Sequence, residues 1–257
     1  MKGKVIGGGV TVLLVLVILL VLFIPRTAVF RKTFKGKCGK FPQQSHRCEV
    51  MLRTFEYAYV GKDPRYFPES NYDQFLNDNP FTHDNSKTML WSSTKGLVHD
   101  YAEGTGCFIT LEDTLLGSIM DGLTWCGLKG SEHTFDLFCK IDPRNNPVIS
   151  FWRRVSARFA AYAGGVVTAM LDGSQKNPYD PKSVFAIEVN NLHAYKVSRL
   201  DVVLLTDKEN VNKCDNESLQ NLRNIVNQKG IDYNCKSVAR SRVRQCIKEN
   251  VACGACW

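Results

Sequence analysis

Four carboxylates and two tryptophans are the side chains best suited to act on a ligand: Glu112, Asp113, Asp121 and Glu188, with Trp91 and Trp152. A single carboxylate can stabilise a developing cation, and an indole face can hold a flat ring. Taken singly, each residue also has a structural explanation. Glu112 and Asp113 fall in the first turn of a helix expected to start at Thr110, where carboxylates offset the helix dipole. Glu188 ends a short β-branched run and could face water. Trp91 follows Met89-Leu90, and Trp152 lies on an apolar helical stripe. Other chemistries lack their parts. There is no Gly-rich phosphate loop and no G-x-S-x-G, and His46, His83, His99, His133 and His193 have no metal-ligand spacing. Cys253-Gly254-Ala255-Cys256 is spaced like a zinc half-site but has no second pair, and it lacks the strand and helix that flank a thioredoxin-type motif.

The elements that must position these residues follow from periodicity. Arg47 to Val60 puts Met51, Phe55, Ala58 and Tyr59 on one helical face. Thr110 can cap a helix running toward Asp121, with Asp113 three residues on in a capping-box relation. Pro147 opens a second helix, with Val148, Phe151, Trp152, Val155, Phe159 and Tyr162 at helical spacing. After Gly164-Gly165 the character changes. Val166–Leu171, Ser183–Val189, Val197–Leu205 and Ile231–Val238 read as strands, with a helix over Leu219–Gln228, so the second half is α/β.

The chain has 257 residues, enough for one or two domains. The net charge of +8 comes from eight basic residues before position 41, and the rest of the chain is balanced. That argues against a nucleic-acid face and for a membrane-adjacent basic cluster. Between Lys4 and Arg26, Val5 to Ile24 is 20 uncharged residues, about 30 Å of helix, the thickness of a bilayer core. It is longer than a signal-peptide core and is not followed by a good cleavage site, so it reads as an uncleaved single-pass anchor. The flanking basic residues, taken alone, would place the body in the cytosol. The cysteines oppose this. All ten lie beyond the anchor, a density that suits an oxidising compartment, and Asn216-Glu217-Ser218 is a glycosylation sequon. The expectation is therefore a cell-membrane protein whose body is extracellular or lumenal.

Five motifs in order carry a resemblance over about residues 38–250: Met89-Leu90-Trp91-Ser92; Ile109 to Gly117 (ITLEDTLLG); Leu123-Thr124-Trp125-Cys126-Gly127; Asn146-Pro147-Val148 with Phe151-Trp152; and Phe185-Ala186-Ile187-Glu188-Val189 with Asn191-Leu192. Together they resemble the ADP-ribosyl cyclase family, animal ectoenzymes that cut the nicotinamide–ribose bond of NAD. The layout of short tail and single anchor is similar to that of the family's lymphocyte surface member. The resemblance implies that Glu188 stabilises the oxocarbenium-like ribose. Trp91 and Trp152 hold the rings, and Glu112 beside the nicotinamide biases hydrolysis against cyclisation. Asp121, Ser92, Ser156 and Phe185 are implied to contact substrate. Since nicotinamide leaves as a neutral molecule, no general acid is needed.

The resemblance also implies a two-lobed α+β or α/β fold with a small, largely parallel sheet. The helical lobe comprises 36–84 and 110–163, the α/β lobe 85–109 and 164–257. They follow a tail (1–4), the anchor (5–24) and a stalk (25–35). Implied disulfides are Cys38–Cys48, Cys126–Cys139 and Cys214–Cys235. A fourth joins Cys246 to Cys253 or Cys256, leaving Cys107 and one C-terminal cysteine to pair, stay free or bridge two chains. Two family disulfides are missing, near Arg65 and Pro143 and near Asn85 and Gly164. Ser93 stands where the surface member has arginine, and Ser183-Val184-Phe185 replaces its Thr-Phe-Gly. NAD is expected as substrate, with no cofactor, no metal and no nucleic acid, and a homodimer is left open. A catalytically weak receptor or adhesion protein on the same fold is the alternative.

Overall fold

The structure is a computed structural model that describes residues 26–43, 45–132, 146–207, 213–249 and 251–257. The expected anchor (5–24) and Cys139 lie outside these residues. Among the described residues no helix is long and apolar enough to cross a membrane.

By internal contacts the chain divides into two units, 1–67 with 122–148, and 68–121 with 149–257. The divisions fall at 67/68, 121/122 and 148/149, whereas the expected lobes meet at 84/85, 109/110 and 163/164. The hydrogen bonds Arg154–Asp73 and Trp91–Glu112 tie elements assigned to different segments of those lobes into the second unit.

In the first unit, helix α1 (Arg26–Cys38) replaces the expected stalk. Phe30, Phe34 and Cys38 recur at i, i+4, i+8 and are all buried, so the segment packs as a helix. Their partners are Phe55 and Tyr59 of helix α2 (Cys48–Tyr59), and Trp125. Phe55 meets Trp125 edge-on at 5.1 Å. Gly127 is required here, because an added methyl would lie 2.2 Å from the Tyr59 carbonyl oxygen. Cys38–Cys48 ties α1 to α2.

The second unit is built on a four-stranded parallel sheet in the order β1 (Met89–Ser92), β2 (Gly165–Asp172), β3 (Val197–Thr206), β4 (Asp232–Ala239). The central strands read as continuous apolar runs because both faces are covered. Val167, Ala169 to Leu171, Leu200 and Val202 to Leu205 are all buried. The unit's helices are α3 (Asp73–Asp78), α4 (Lys95–Thr105), α5 (Leu115–Met120), α6 (Pro147–Tyr162), α7 (Val184–Asn191), α8 (Glu217–Gln228) and α9 (Arg240–Glu249). Helix α6 begins just before the unit boundary.

Two expectations are corrected here. Residues 183–189 do not form a strand; Val184–Asn191 is a helix. Ser183 caps it, its hydroxyl accepting from the Ala186 N–H at 3.1 Å. The expected single helix from Thr110 is broken into a 3-10 turn (Leu111–Asp113) and α5. Thr114 separates them with an extended backbone and caps α5 through the Gly117 N–H.

Disulfides join Cys38–Cys48, Cys214–Cys235, Cys246–Cys256 and Cys107–Cys253. Cys126 is also disulfide-bonded. In the described residues Cys107 thus pairs with the C-terminal cysteine that Cys246 does not take.

Candidate active site

Every expected site residue lies in the second unit. Trp91 and Ser92 end β1, at the carboxyl edge of the parallel sheet, where open α/β sheets bind ligands. The chain then reverses through Ser93, held at φ 60°, a left-handed conformation that costs a non-glycine residue roughly 1–2 kcal/mol. Buried Thr94 fastens this turn by donating its hydroxyl to the Met170 carbonyl at 3.0 Å. Helix α4 starts at once, at Lys95, three residues after Ser92.

Glu112 sits in the 3-10 turn. The Thr110 N–H and hydroxyl both donate to Asp113 Oδ2, at 2.8 and 2.9 Å, which fixes the start of that turn. Asp113 is therefore a capping residue. Glu112 Oε2 accepts from Trp91 Nε1 at 3.1 Å, so one indole is tied to one carboxylate. His99 of α4 stands 3.9 Å from the same oxygen and packs edge-on against Trp91.

Glu188 is presented by α7, which packs against β1, and the residue is only 7% exposed. Burial, together with the like charge of Glu112, pushes its carboxyl up to about 8; a hydrogen bond from the Ser156 hydroxyl opposes the shift. Ser156 is itself buried, one turn after Trp152 on α6. Trp91, Glu112, Glu188 and Ser156 therefore form one linked series, with Trp152 one helical turn before Ser156. Trp91 and Trp152 are half-buried, whereas Trp125 is completely buried in the first unit. Helix α6 is held by a bidentate ion pair from Arg154 to Asp73 of α3.

Asp121 follows α5 and accepts from Lys95 Nζ at 2.6 Å. It lines a cavity of about 560 Å³ with Glu112, Asp113, His99, Glu103 and Phe108. Phe185, implied to contact substrate, lies on α7. It is 2% exposed and packs edge-on against Tyr179, while Val184 beside it is exposed. Ser156, implied to contact substrate, also hydrogen-bonds Glu188. Sequence reasoning passed over His99, whose part depends on a contact between α4 and the 3-10 turn. Asn216 caps α8, its side-chain oxygen accepting from the N–H and hydroxyl of Ser218. Among the described residues no group of His, Cys, Asp or Glu is arranged to hold a metal ion.

The family model described as ADP-ribosyl cyclase matches residues 27–255. The ADP-ribosyl cyclase/cyclic ADP-ribose hydrolase 1 of Mus musculus is 33% identical over 95% of this chain and 88% of its own. The human ADP-ribosyl cyclase/cyclic ADP-ribose hydrolase 2 is 30% identical over 86% and 73%. Among solved structures, porcine CD38 with a covalent ribo-F-ribose-5′-phosphate intermediate is 32% identical, covers 82% of this chain and 96% of its own, and has a TM-score of 0.75. Aplysia cyclase with substrate NGD and product cGDPR is 28% identical over 89% and 96%, with a TM-score of 0.74.

Proposed function

The chain is a member of the ADP-ribosyl cyclase family, and from that membership we propose how its carboxylates and tryptophans divide the work. The protein is an NAD-cleaving ADP-ribosyl cyclase/cyclic ADP-ribose hydrolase. The observation that carries the assignment of roles is the buried Glu188 carboxyl, held by Ser156 and facing Glu112.

NAD brings a positively charged nicotinamide ring to that carboxyl. The positive charge favours the carboxylate, so substrate binding itself draws the Glu188 proton off. The bond between ribose and nicotinamide then breaks, its electron pair going to the ring nitrogen, and nicotinamide leaves neutral. The ribose carbon left behind is oxocarbenium-like, and the buried Glu188 carboxylate, little screened by solvent, stabilises it. Trp91 and Trp152 supply flat faces for the rings. Ser92 and the first turn of α4 receive the pyrophosphate, as helix N-termini do. Lys95, paired with Asp121, is the cation nearest that turn on its own helix and stands in for the arginine replaced by Ser93.

Two fates then compete at the same carbon. Water gives ADP-ribose; adenine, folded back, gives cyclic ADP-ribose. Glu112, held by the Trp91 N–H, keeps water and polarity next to the departing nicotinamide and so favours hydrolysis. Residues 5–24 anchor the enzyme in the cell membrane with the body on the extracellular or lumenal side, where its disulfides persist.

The test is fluorescence from etheno-NAD with purified protein. Glu188→Gln keeps the side chain's shape but removes its charge, and is expected to lower kcat about 10²–10³-fold with folding retained. Parent-like turnover in that variant rejects Glu188 as the stabilising group.

A further inference from the structure

The Glu112 carboxylate oxygen that accepts from Trp91 has a second neighbour whose hydrogen bonding is unfinished. His99 Nε2 is buried, 3.9 Å from Glu112 Oε2, and has no hydrogen-bond partner. The other ring nitrogen, Nδ1, lies 3.4 Å from Thr110 Oγ1. The Thr110 hydroxyl proton is committed to Asp113 Oδ2 at 2.9 Å, so toward His99 this oxygen can only accept. Nδ1 must therefore carry the hydrogen in the neutral ring. That leaves a bare lone pair on Nε2 facing a carboxylate. A proton on Nε2 completes a chain from Asp113 through Thr110 and His99 to Glu112.

We propose that His99 is a positioning residue acting through Glu112: protonated at Nε2, its ring clasps the Glu112 carboxylate and shifts product choice toward cyclic ADP-ribose. The proposal rests on the reading of Glu112 given above. A carboxylate engaged by an imidazolium has less negative charge with which to hold water near the ribose, so cyclisation gains as pH falls.

Carboxylates line the space around the ring. Glu112 and Asp113 face it from the 3-10 turn, and Glu103 and Asp121 line the same cavity. Glu188 of α7 lies beyond Glu112; its carboxyl keeps its proton in the free enzyme up to about pH 8 and takes negative charge when NAD binds. Trp91 of β1 offers a ring edge contact. Lys95, one turn earlier on α4, is tied to Asp121. Helix α9 meets α4 through apolar side chains, Val243, Cys246 and Ile247.

The experiment measures the ratio of cyclic to linear product by chromatography at matched NAD consumption, between about pH 5.5 and about pH 7.5, where histidines titrate. Both products form after nicotinamide has left, so at low conversion, before released cyclic product is itself hydrolysed, the pH dependence of nicotinamide release drops out of the ratio. In the parent the ratio is expected to rise about twofold or more toward low pH, and in His99→Gln, which keeps an amide donor but cannot titrate in this range, to stay flat. Glu112→Leu is expected to raise the ratio at every pH and to abolish its slope. Independently of activity, the NMR titration of the His99 ring is expected to move to lower pH in Glu112→Gln. A parent-like slope in His99→Gln, or a His99 titration unmoved by Glu112→Gln, overturns the proposal. A parent-like ratio in Glu112→Leu instead overturns the reading of Glu112, and the proposal falls with it.

Discussion

The Glu188 carboxyl has one hydroxyl partner, a like charge nearby and almost no water, and each of these has a measurable consequence. With the free-enzyme group pushed up to about 8, kcat/KM is expected to climb with pH until that region. The kcat profile is expected to lie at lower pH, because bound NAD places a positive ring beside the carboxyl. Steady-state rates across pH in parent and Ser156→Ala check both statements. Removing the hydroxyl that favours the ionised form is expected to move the kcat/KM limb to still higher pH. Stability follows the same proton. The folded-state value is raised from 4.5 to about 8, so the folded chain holds the proton more tightly than the unfolded one. The stability tied to that proton is fully present below about 4.5 and is lost as pH rises through about 8. Glu188→Gln is therefore expected to be more stable than the parent at alkaline pH, with the difference vanishing near pH 4.5. Urea unfolding at both ends of the range decides it, and an equal difference at both ends contradicts the burial of a protonated carboxyl.

Local elements set the position of Glu112 through one close backbone approach. A methyl group at Gly117 of α5 would lie 1.9 Å from the Leu111 carbonyl oxygen and 2.8 Å from the Glu112 Cα. Both are backbone atoms, so relief requires the 3-10 turn to move and Glu112 with it. Gly117→Ala is expected to cost about 1–3 kcal/mol and to change the cyclic-to-linear ratio, read by thermal unfolding and product chromatography. A variant with parent-like melting temperature and ratio would show that the two turns are not packed this closely. A second local arrangement explains the absence of a family disulfide near Asn85 and Gly164. The Gly164 N–H donates to the Asn85 carbonyl at 3.0 Å, and the Asn85 amide donates to the Tyr162 carbonyl at 3.3 Å. A methyl at Gly164 would meet that amide nitrogen at 3.0 Å. The asparagine side chain thus occupies the space next to Gly164 and holds the end of α6 by hydrogen bonds.

Across the whole molecule, the longest covalent closure described is Cys107–Cys253, with a sequence separation of 146. It ties the segment leading into Thr110 and Glu112 to the C-terminus, where Trp257 packs on Tyr101 and Phe108. By contrast, Cys38–Cys48 and Cys246–Cys256 each have a separation of 10. If these bridges act by restricting the unfolded chain, their value rises with loop length. The Cys107→Ala/Cys253→Ala double variant is therefore expected to lose about 4–5 kcal/mol, more than the Cys38→Ala/Cys48→Ala pair. Denaturant unfolding of the two, without reductant, tests this, and a larger loss at Cys38–Cys48 would reject the loop-length account.

The order of five motifs, the cysteine-rich body and the apolar runs of β2 and β3 were legible in the residues alone, because each depends on neighbours in sequence. So were the Thr110–Asp113 capping box and the helix from Pro147, whose hydrogen bonds and stripes are local. The stretch around Glu188 was not. A short apolar run fits a buried strand or a buried helix equally well, and the Ser183 cap together with packing against β1 selected the helix. The N-terminal basic segment read as a stalk because nothing nearby in sequence shows that Phe30 and Phe34 bury against Phe55 and Trp125. Phe185 is implied at the substrate by resemblance, and its packing on Tyr179 is a contact that local sequence does not show. The partners of Cys107 and of His99 are 146 and 13 positions away, on other elements. Residue types and local periodicity follow from covalent order, so the sequence by itself determined the family, the candidate carboxylates and most of the elements. Burial, charge coupling between Glu112 and Glu188, and the pairing of distant groups arise only when the chain packs, and the tertiary structure alone decided them.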